Sequence, residues 1–196
     1  MVAATLVKAG SHRVVPLEVE EVRHHAGQDT QDGEINAATR LLDRVRQDHP
    51  RMPLVVLGVD RYGPEPFLGQ LCDERLHPVL VWKPMSHPER YTWVEGIEVL
   101  GGGEQGTWQE GPACRRRFFT SRVARAVPLT ASPRVWGTLV EVGEHTREGE
   151  QVYHHAWLTD LEVDTENVGA IVWIGRSRWN GCSPPVYSQS AVIFVS

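Results

Sequence analysis

Pro53-Leu-Val-Val-Leu-Gly58 is an apolar run closed at both ends by turn formers. A strand that is apolar at every position, not at alternate ones, has to be covered on both faces. The run therefore predicts a central strand buried inside an α/β layer structure. Val79-Leu-Val-Trp82 carries the same signature. Around these runs lie helical patterns. From Glu34 to His49, the residues Ile35, Ala38, Leu42, Val45 and His49 recur at three- and four-residue steps and make one buried stripe. Asp32 is placed to cap this helix, Glu34 suits the positive end of its dipole, and Pro50 stops it. Pro64 to Arg75 reads as a second helix with proline at its entry. Two short strands, Ala4–Val7 and Arg13–Leu17, precede all of this, with Gly10-Ser11 at the turn between them. The order strand, strand, helix, strand, helix, strand is an α/β pattern.

From Pro84 to His155 the texture changes to short alternating segments rich in Gly, Pro and Thr. Tyr91-Thr-Trp-Val94, Arg117-Phe-Phe-Thr120 and Trp136-Gly-Thr-Leu-Val-Glu-Val142 read as antiparallel strands, with Gly101-Gly-Gly103 at a turn. This is a β-rich insertion and not a separate domain, because the α/β pattern resumes after it. His155-Ala-Trp-Leu-Thr159 reads as a strand, and a helix begins at Asp164, with Val163 and Val168 as a hydrophobic staple. Past Trp179, Asn-Gly-Cys-Ser-Pro-Pro breaks any helix, and Val186–Ser196 reads as a tail without relation to what precedes it. The chain thus divides into a partial α/β core (1–83), a β-rich insertion (84–155), a returning strand with the start of a last core helix (156–179) and an aberrant tail (180–196).

At 196 residues and 41% hydrophobic, the chain can bury one sizeable core. Its net charge of −5 provides no global basic field, so any nucleic-acid contact has to come from local clusters. Arg115-Arg116-Arg117, followed by Phe118-Phe119, is either a phosphate-contacting patch with a stacking platform or a solvated turn leading into a strand. Arg176 and Arg178 are candidates for DNA contact as well as for favourable placement at the negative pole of a helix. Three widely spaced cysteines, Cys72, Cys114 and Cys182, form no disulfide framework or metal knuckle and fit a reducing, cytoplasmic setting. Cys72 and the tryptophans, among them Trp82, Trp136, Trp157 and Trp173, read as core. His24-His25 and His154-His155 lack partners at metal-ligand spacing. The first ten residues contain neither a signal peptide nor a spanning helix, and no membrane partner is expected.

Four stretches, taken in order, resemble a family. Thr30-Gln-Asp-Gly-Glu-Ile-Asn-Ala-Ala-Thr-Arg-Leu-Leu42 is similar to the QDCE-x-NAAKRLL segment of bacterial insertion-sequence transposases of the DDE type. Val55-Val-Leu-Gly-Val-Asp-Arg-Tyr-Gly-Pro-Glu-Pro66 resembles their strand ending in an Asp before a tyrosine-containing turn. Leu80-Val-Trp-Lys-Pro84, with His87 after it, is similar to their next strand. Ala156–Val168 with Gly175-Arg-Ser-Arg-Trp179 resembles the final strand and the start of the helix that bears the catalytic Glu.

The resemblance implies an RNase H-like mixed sheet with flanking helices, interrupted by a β-rich insertion between the second and third catalytic carboxylates. In such enzymes an Asp, Asp, Glu triad holds two Mg²⁺ or Mn²⁺ ions about 3.5–4 Å apart for DNA cleavage and strand transfer. The departures here point to an inactive remnant with its first strand and last helix incomplete. The family's first Asp lies on a strand upstream of the matched part. Val59 stands at the second position in a gapless reading, with Asp60 beside it as the remaining candidate for catalysis and metal binding. The third, a Glu soon after the Arg-Trp pair, is replaced by Asn180-Gly-Cys-Ser-Pro-Pro185. The partners implied are DNA, an intact transposase copy or a second copy of the chain. A non-enzymatic regulator that binds DNA ends or pairs with an intact transposase is the alternative reading.

Overall fold

The structure, a computed structural model, describes residues 1–7, 14–22, 33–86, 88–99, 101–129, 135–177 and 191–195. The elements in chain order are β1 (Val2–Val7), β2 (Val14–Glu20), α1 (Glu34–Asp48), β3 (Leu54–Gly58), α2 (Glu65–Asp73), β4 (Leu76–Val81), α3 (Pro88–Val99), β5 (Gly103–Glu110), β6 (Arg117–Pro128), β7 (Trp136–His145), β8 (Gln151–Thr159), α4 (Val168–Arg176) and β9 (Ala191–Val195). The turn expected at Gly10-Ser11, the cap at Asp32, the paired His24-His25, Cys182 and the breakers after Trp179 lie outside the described residues.

The nine strands among the described residues join one sheet in the order β2-β1-β9-β3-β4-β8-β7-β6-β5. Three neighbours, β9, β3 and β4, run parallel to one another, and every other pairing is antiparallel. The fold is mixed α/β, as expected. The segment read as an insertion continues the same sheet, because β8 pairs with β4 through Val79↔Thr159, Leu80↔Leu158 and Val81↔Trp157.

β3 bears out the double burial that its sequence demands. Leu54 and Val56 pack with Leu41, Leu42, Phe67 and Leu71 beneath α1 and α2, whereas Val55 and Leu57 pack with Ile171, Val172 and Ile174 of α4 on the other face. Removing each such side chain from water stabilises the fold by about 1.5–3 kcal/mol. On the first face α1 is further fastened to the hairpin β1–β2. Arg40 bonds Glu20 at 2.9 Å and Arg44 bonds Glu18 at 2.7 Å. These guanidiniums hold the Glu20 carboxyl below the usual carboxylate range. On the second face Gly175 lies so close to Trp157 that an added Cβ would stand 2.4 Å from the indole, so α4 can settle only with glycine there.

Three expectations are corrected. Tyr91–Val94 is part of helix α3 and not a strand. Pro88 at its first position and Glu89 in its first turn favour a helix start, and Tyr91, Val94 and Ile97 recur every third residue against the core. The last helix begins at Val168 and not at Asp164. Asp164 shapes the turn before it, its Oδ1 accepting the amides of Glu166 and Asn167 at 2.8 Å while Asn167 Oδ1 accepts the amide of Asp164 at 2.9 Å, a reciprocal cap. Trp136 is 46% exposed and lies beside the equally exposed Trp93, whereas Trp82, Trp157 and Trp173 are buried as expected.

Part of the segment read as an unrelated tail forms β9 in the middle of the sheet. Its register is Ala4↔Val195 to Val7↔Val192 on β1 and Leu54↔Ala191 to Leu57↔Phe194 on β3. A strand there satisfies the facing amides and carbonyls of both neighbours. Deleting residues 191–196 is therefore expected to raise amide exchange in β1 and β3 at least tenfold, while β6 and β7 keep their protection. Unchanged exchange in β1 would show that β9 does not hold the hairpin to the sheet.

Candidate functional site

β3 ends at Gly58, where a Cβ would stand 2.7 Å from Leu80 Cδ2. The chain then passes through extended Val59 into a single 3-10 turn, Asp60–Tyr62, closed by the Gly63 amide on the Asp60 carbonyl at 3.0 Å. Tyr62 is buried and packs 5.2 Å from Phe67, which fixes the turn over the core. Asp60 consequently stands at the C-terminal ends of two parallel strands, the place where open α/β sheets gather functional groups. Its Oδ1 accepts the Lys83 amide just past β4 at 3.1 Å. Val59, the other residue at issue, packs against the apolar core. Of the two, Asp60 is the one that presents a carboxylate at the strand ends.

A pair of divalent cations requires several carboxylates converging on one point. The surroundings of Asp60 do not fit that requirement. Next to β3 the neighbouring strand β9 reads Ala-Val-Ile-Phe-Val, with Phe194 opposite Leu57. Helix α4, Val-Gly-Ala-Ile-Val-Trp-Ile-Gly-Arg, carries no carboxylate. Asp160, at the end of β8, is bonded to His77 at 3.2 Å, near the start of β4. Asp60 meets β4 at its far end, so the two aspartates are separated by about 20 Å of strand. Among the described residues no group of three or more His, Cys, Asp or Glu side chains could hold a metal ion. No helix among them is long and apolar enough to cross a membrane.

The basic residues named from the sequence separate into two kinds. Arg115 and Arg116 are exposed at the turn between β5 and β6. Arg117 and Arg176 turn inward to a cluster that pins α4 to the sheet. Arg176 bonds Glu144 at 2.8 Å and stacks 4.4 Å over Tyr153. Arg117 lies 5.2 Å over Trp173 and 5.7 Å over Phe119, with Glu110 at 3.8 Å and Glu144 at 3.9 Å. Glu110 Oε1 also accepts the indole N–H groups of Trp108 and Trp173 at 2.8 and 2.9 Å. Glu144 is 8% exposed, so its charge is tolerable only because these cations face it. Arg178 lies outside the described residues. Sequence reading missed Glu110 and Glu144. Their signal was faint, being an acid at alternate positions with apolar residues on strands that also carry exposed ones.

Burial displaces three further groups near these elements. Burial pushes the half-buried Cys72 thiol up to about 11, and the nearby Asp160 adds to the effect, so it is a poor nucleophile at neutral pH. Burial also raises the Asp160 carboxyl against the opposing influence of His77. The Glu74 carboxyl is pushed up to about 7 by burial and then by its hydrogen bond to Asp43 across the α1–α2 contact. Gln70 Nε2 bridges the pair, at 2.6 Å from Asp43 and 3.0 Å from Glu74.

Two outcomes are expected. Because the folded-state value of Glu74 lies above its ordinary one, its stabilising contribution is full below about pH 4.5 and is lost as pH rises through 7. Glu74→Gln should therefore flatten the pH dependence of the melting temperature over that interval. An unaltered slope would place the titration elsewhere. Arg176→Met, which keeps an apolar stem but strands Glu144, should cost about 1–3 kcal/mol in denaturant unfolding. Adding Glu144→Gln should recover part of that loss, and strict additivity of the two changes would deny their coupling.

No protein-family model matches this chain, and a search among curated proteins finds no match either.

Proposed function

We propose that the chain is a catalytically inert RNase H-like scaffold related to insertion-sequence DDE transposases, with whatever activity it retains exerted by binding and not by cleavage. The observation that carries this reading is the strand pattern β2-β1-β9-β3-β4. In it a hairpin lies antiparallel to a central strand, and that strand runs parallel to the two that follow, with α1 crossing from β2 to β3 and α2 from β3 to β4. An RNase H-like sheet is mixed in this way. Its central strand would bear the first carboxylate, and here that place is held by the carboxylate-free β9. The second position retains Asp60, which serves as an acceptor for the Lys83 amide. One carboxylate cannot hold two dications, so the metal chemistry of the family has no foothold at these residues.

Binding to a protein partner, such as an intact transposase copy, fits the charge distribution better than binding to DNA ends. The chain is acidic overall, and Arg117 and Arg176 are engaged internally. Arg115 and Arg116 alone would give a shallow salt dependence.

Incubating the purified protein with supercoiled DNA carrying terminal inverted repeats, in Mg²⁺ or Mn²⁺, should yield no nicking, and Asp60→Ala should behave identically. Metal-dependent nicking that Asp60→Ala abolishes would overturn the assignment of inertness.

A further inference from the structure

The two outer strands of the sheet are protected unequally. β2 carries Pro16 and meets β1 through an irregular register between Ala4 and Thr5, both of which discourage another strand from adding to it. β5 is eight residues long, contains no proline, and pairs regularly with β6 from Gly103↔Ala124 to Glu110↔Arg117. Among the described residues nothing pairs with its outer edge. Such an edge is a row of unpaired amides and carbonyls, a template for one more strand.

Beside that edge lies a cleft of about 500 Å³ between β5 and the start of α4. Its floor is Gly106, Ser121 and Val123, and Trp108 forms a wall against Gly169. Gly106 keeps the floor open, since a Cβ there would stand 2.9 Å from Ser121 Oγ. Ser121 is 6% exposed, and its hydroxyl makes no hydrogen bond with the described residues, so a donor and an acceptor are left at the bottom of the cleft. The carboxylates around it are Glu104, Glu110, Asp164 and Glu166. The cations that face them are already committed. Arg125 bonds Glu104 and donates to the Val163 carbonyl at 3.0 Å, and Arg117 is held by Glu110 and Glu144. Glu166 is exposed and without an ion-pair partner among the described residues.

The geometry points to the β5 edge as a docking site for an extended peptide segment of another protein. That segment would add as a tenth strand along β5 and direct basic side chains toward the α4 end of the cleft. Backbone pairing would supply the affinity, and the alternate side chains that enter the cleft would supply the selectivity. Charge selects against a second copy of this chain, because antiparallel pairing of two β5 strands would bring together two clefts in each of which Asp164 and Glu166 add to the paired Glu104 and Glu110. A basic strand meets no such repulsion. The site does not depend on descent from a transposase.

The test uses the full chain and two blocked octapeptides, one alternating lysine with valine and one alternating glutamate with valine. Calorimetry should show the lysine peptide binding at least tenfold more tightly. Amide exchange should slow at least tenfold within residues 103–110 when it is bound. Gly106→Val, which fills the cleft, should abolish the preference, and the exposed Glu166→Gln should weaken binding at least threefold without altering the melting temperature. Equal affinity for the two peptides, no binding, or protection that falls on β2 would overturn the proposal. Protection of β5 without peptide, accompanied by dimerisation, would identify a second copy as the occupant and overturn it equally.

Discussion

A strand in the middle of a sheet must pair on both sides, and five residues, Ala191–Val195, meet that requirement for β1 and β3 together. Without them the sheet would fall into a two-stranded hairpin and a six-stranded remainder, bridged among the described elements by α1. The ion pairs of Arg40 and Arg44 with Glu18 and Glu20 tie α1 to the hairpin, and Leu41, Leu42 and Val45 tie it to the core. The Arg44–Glu18 pair, part-exposed on both sides, contributes little by itself. The ladders of β9 make the hairpin continuous with the parallel strands, and the same central position decides what chemistry the neighbouring Asp60 can share.

The buried parallel strands were legible because a double-sided burial constraint leaves its mark at every position. Leu54–Gly58 and Val79–Trp82 are apolar throughout, and no other placement would cover both of their faces. β9 carries the same mark in Ala-Val-Ile-Phe-Val. The turn formers that precede it separate it from any local context, and pairing between residues 191–195 and residues 4–7 is a property of topology that no local pattern encodes. α3 was obscured for the opposite reason. Four residues, Tyr91 to Val94, fit alternation as well as a helical step, and only the longer spacing through Ile97 distinguishes the two.

The site was legible to the same degree and no further. That a carboxylate would stand at the end of a buried strand follows from the order of residues 53 to 62. What surrounds that carboxylate depends on register: Phe194 opposite Leu57, and Asp160 carried to the other end of β4 by the antiparallel run of β8. The arginines show a related limit. A cation near a helix end suits the dipole whether it faces solvent or the protein, so Arg176 could be placed at the end of α4 from sequence without any sign that Tyr153 and Glu144 would enclose it.

The distribution of charge follows from this enclosure. A sheet of this width leaves two edges to be guarded, and the chain's arginines are used unequally between them. Arg40 and Arg44 neutralise the acids of β2 from α1, at an edge that Pro16 already spoils for pairing. At the opposite edge Arg117 is drawn beneath α4 by the aromatic rings and the buried Glu144, and Arg125 is turned toward Glu104 and the Val163 carbonyl. Arg117 is thereby withdrawn from the surface of β5 and Arg125 is occupied by Glu104, so the edge is left open in its backbone and, with Asp164 and Glu166 beside it, negative in its field. Unpaired edges in natural sheets are commonly guarded by charge against copies of themselves, and a guard of one sign repels its own kind while admitting the other. The interior demand of Glu144 for a counter-ion thus sets the exterior selectivity of the edge two strands away.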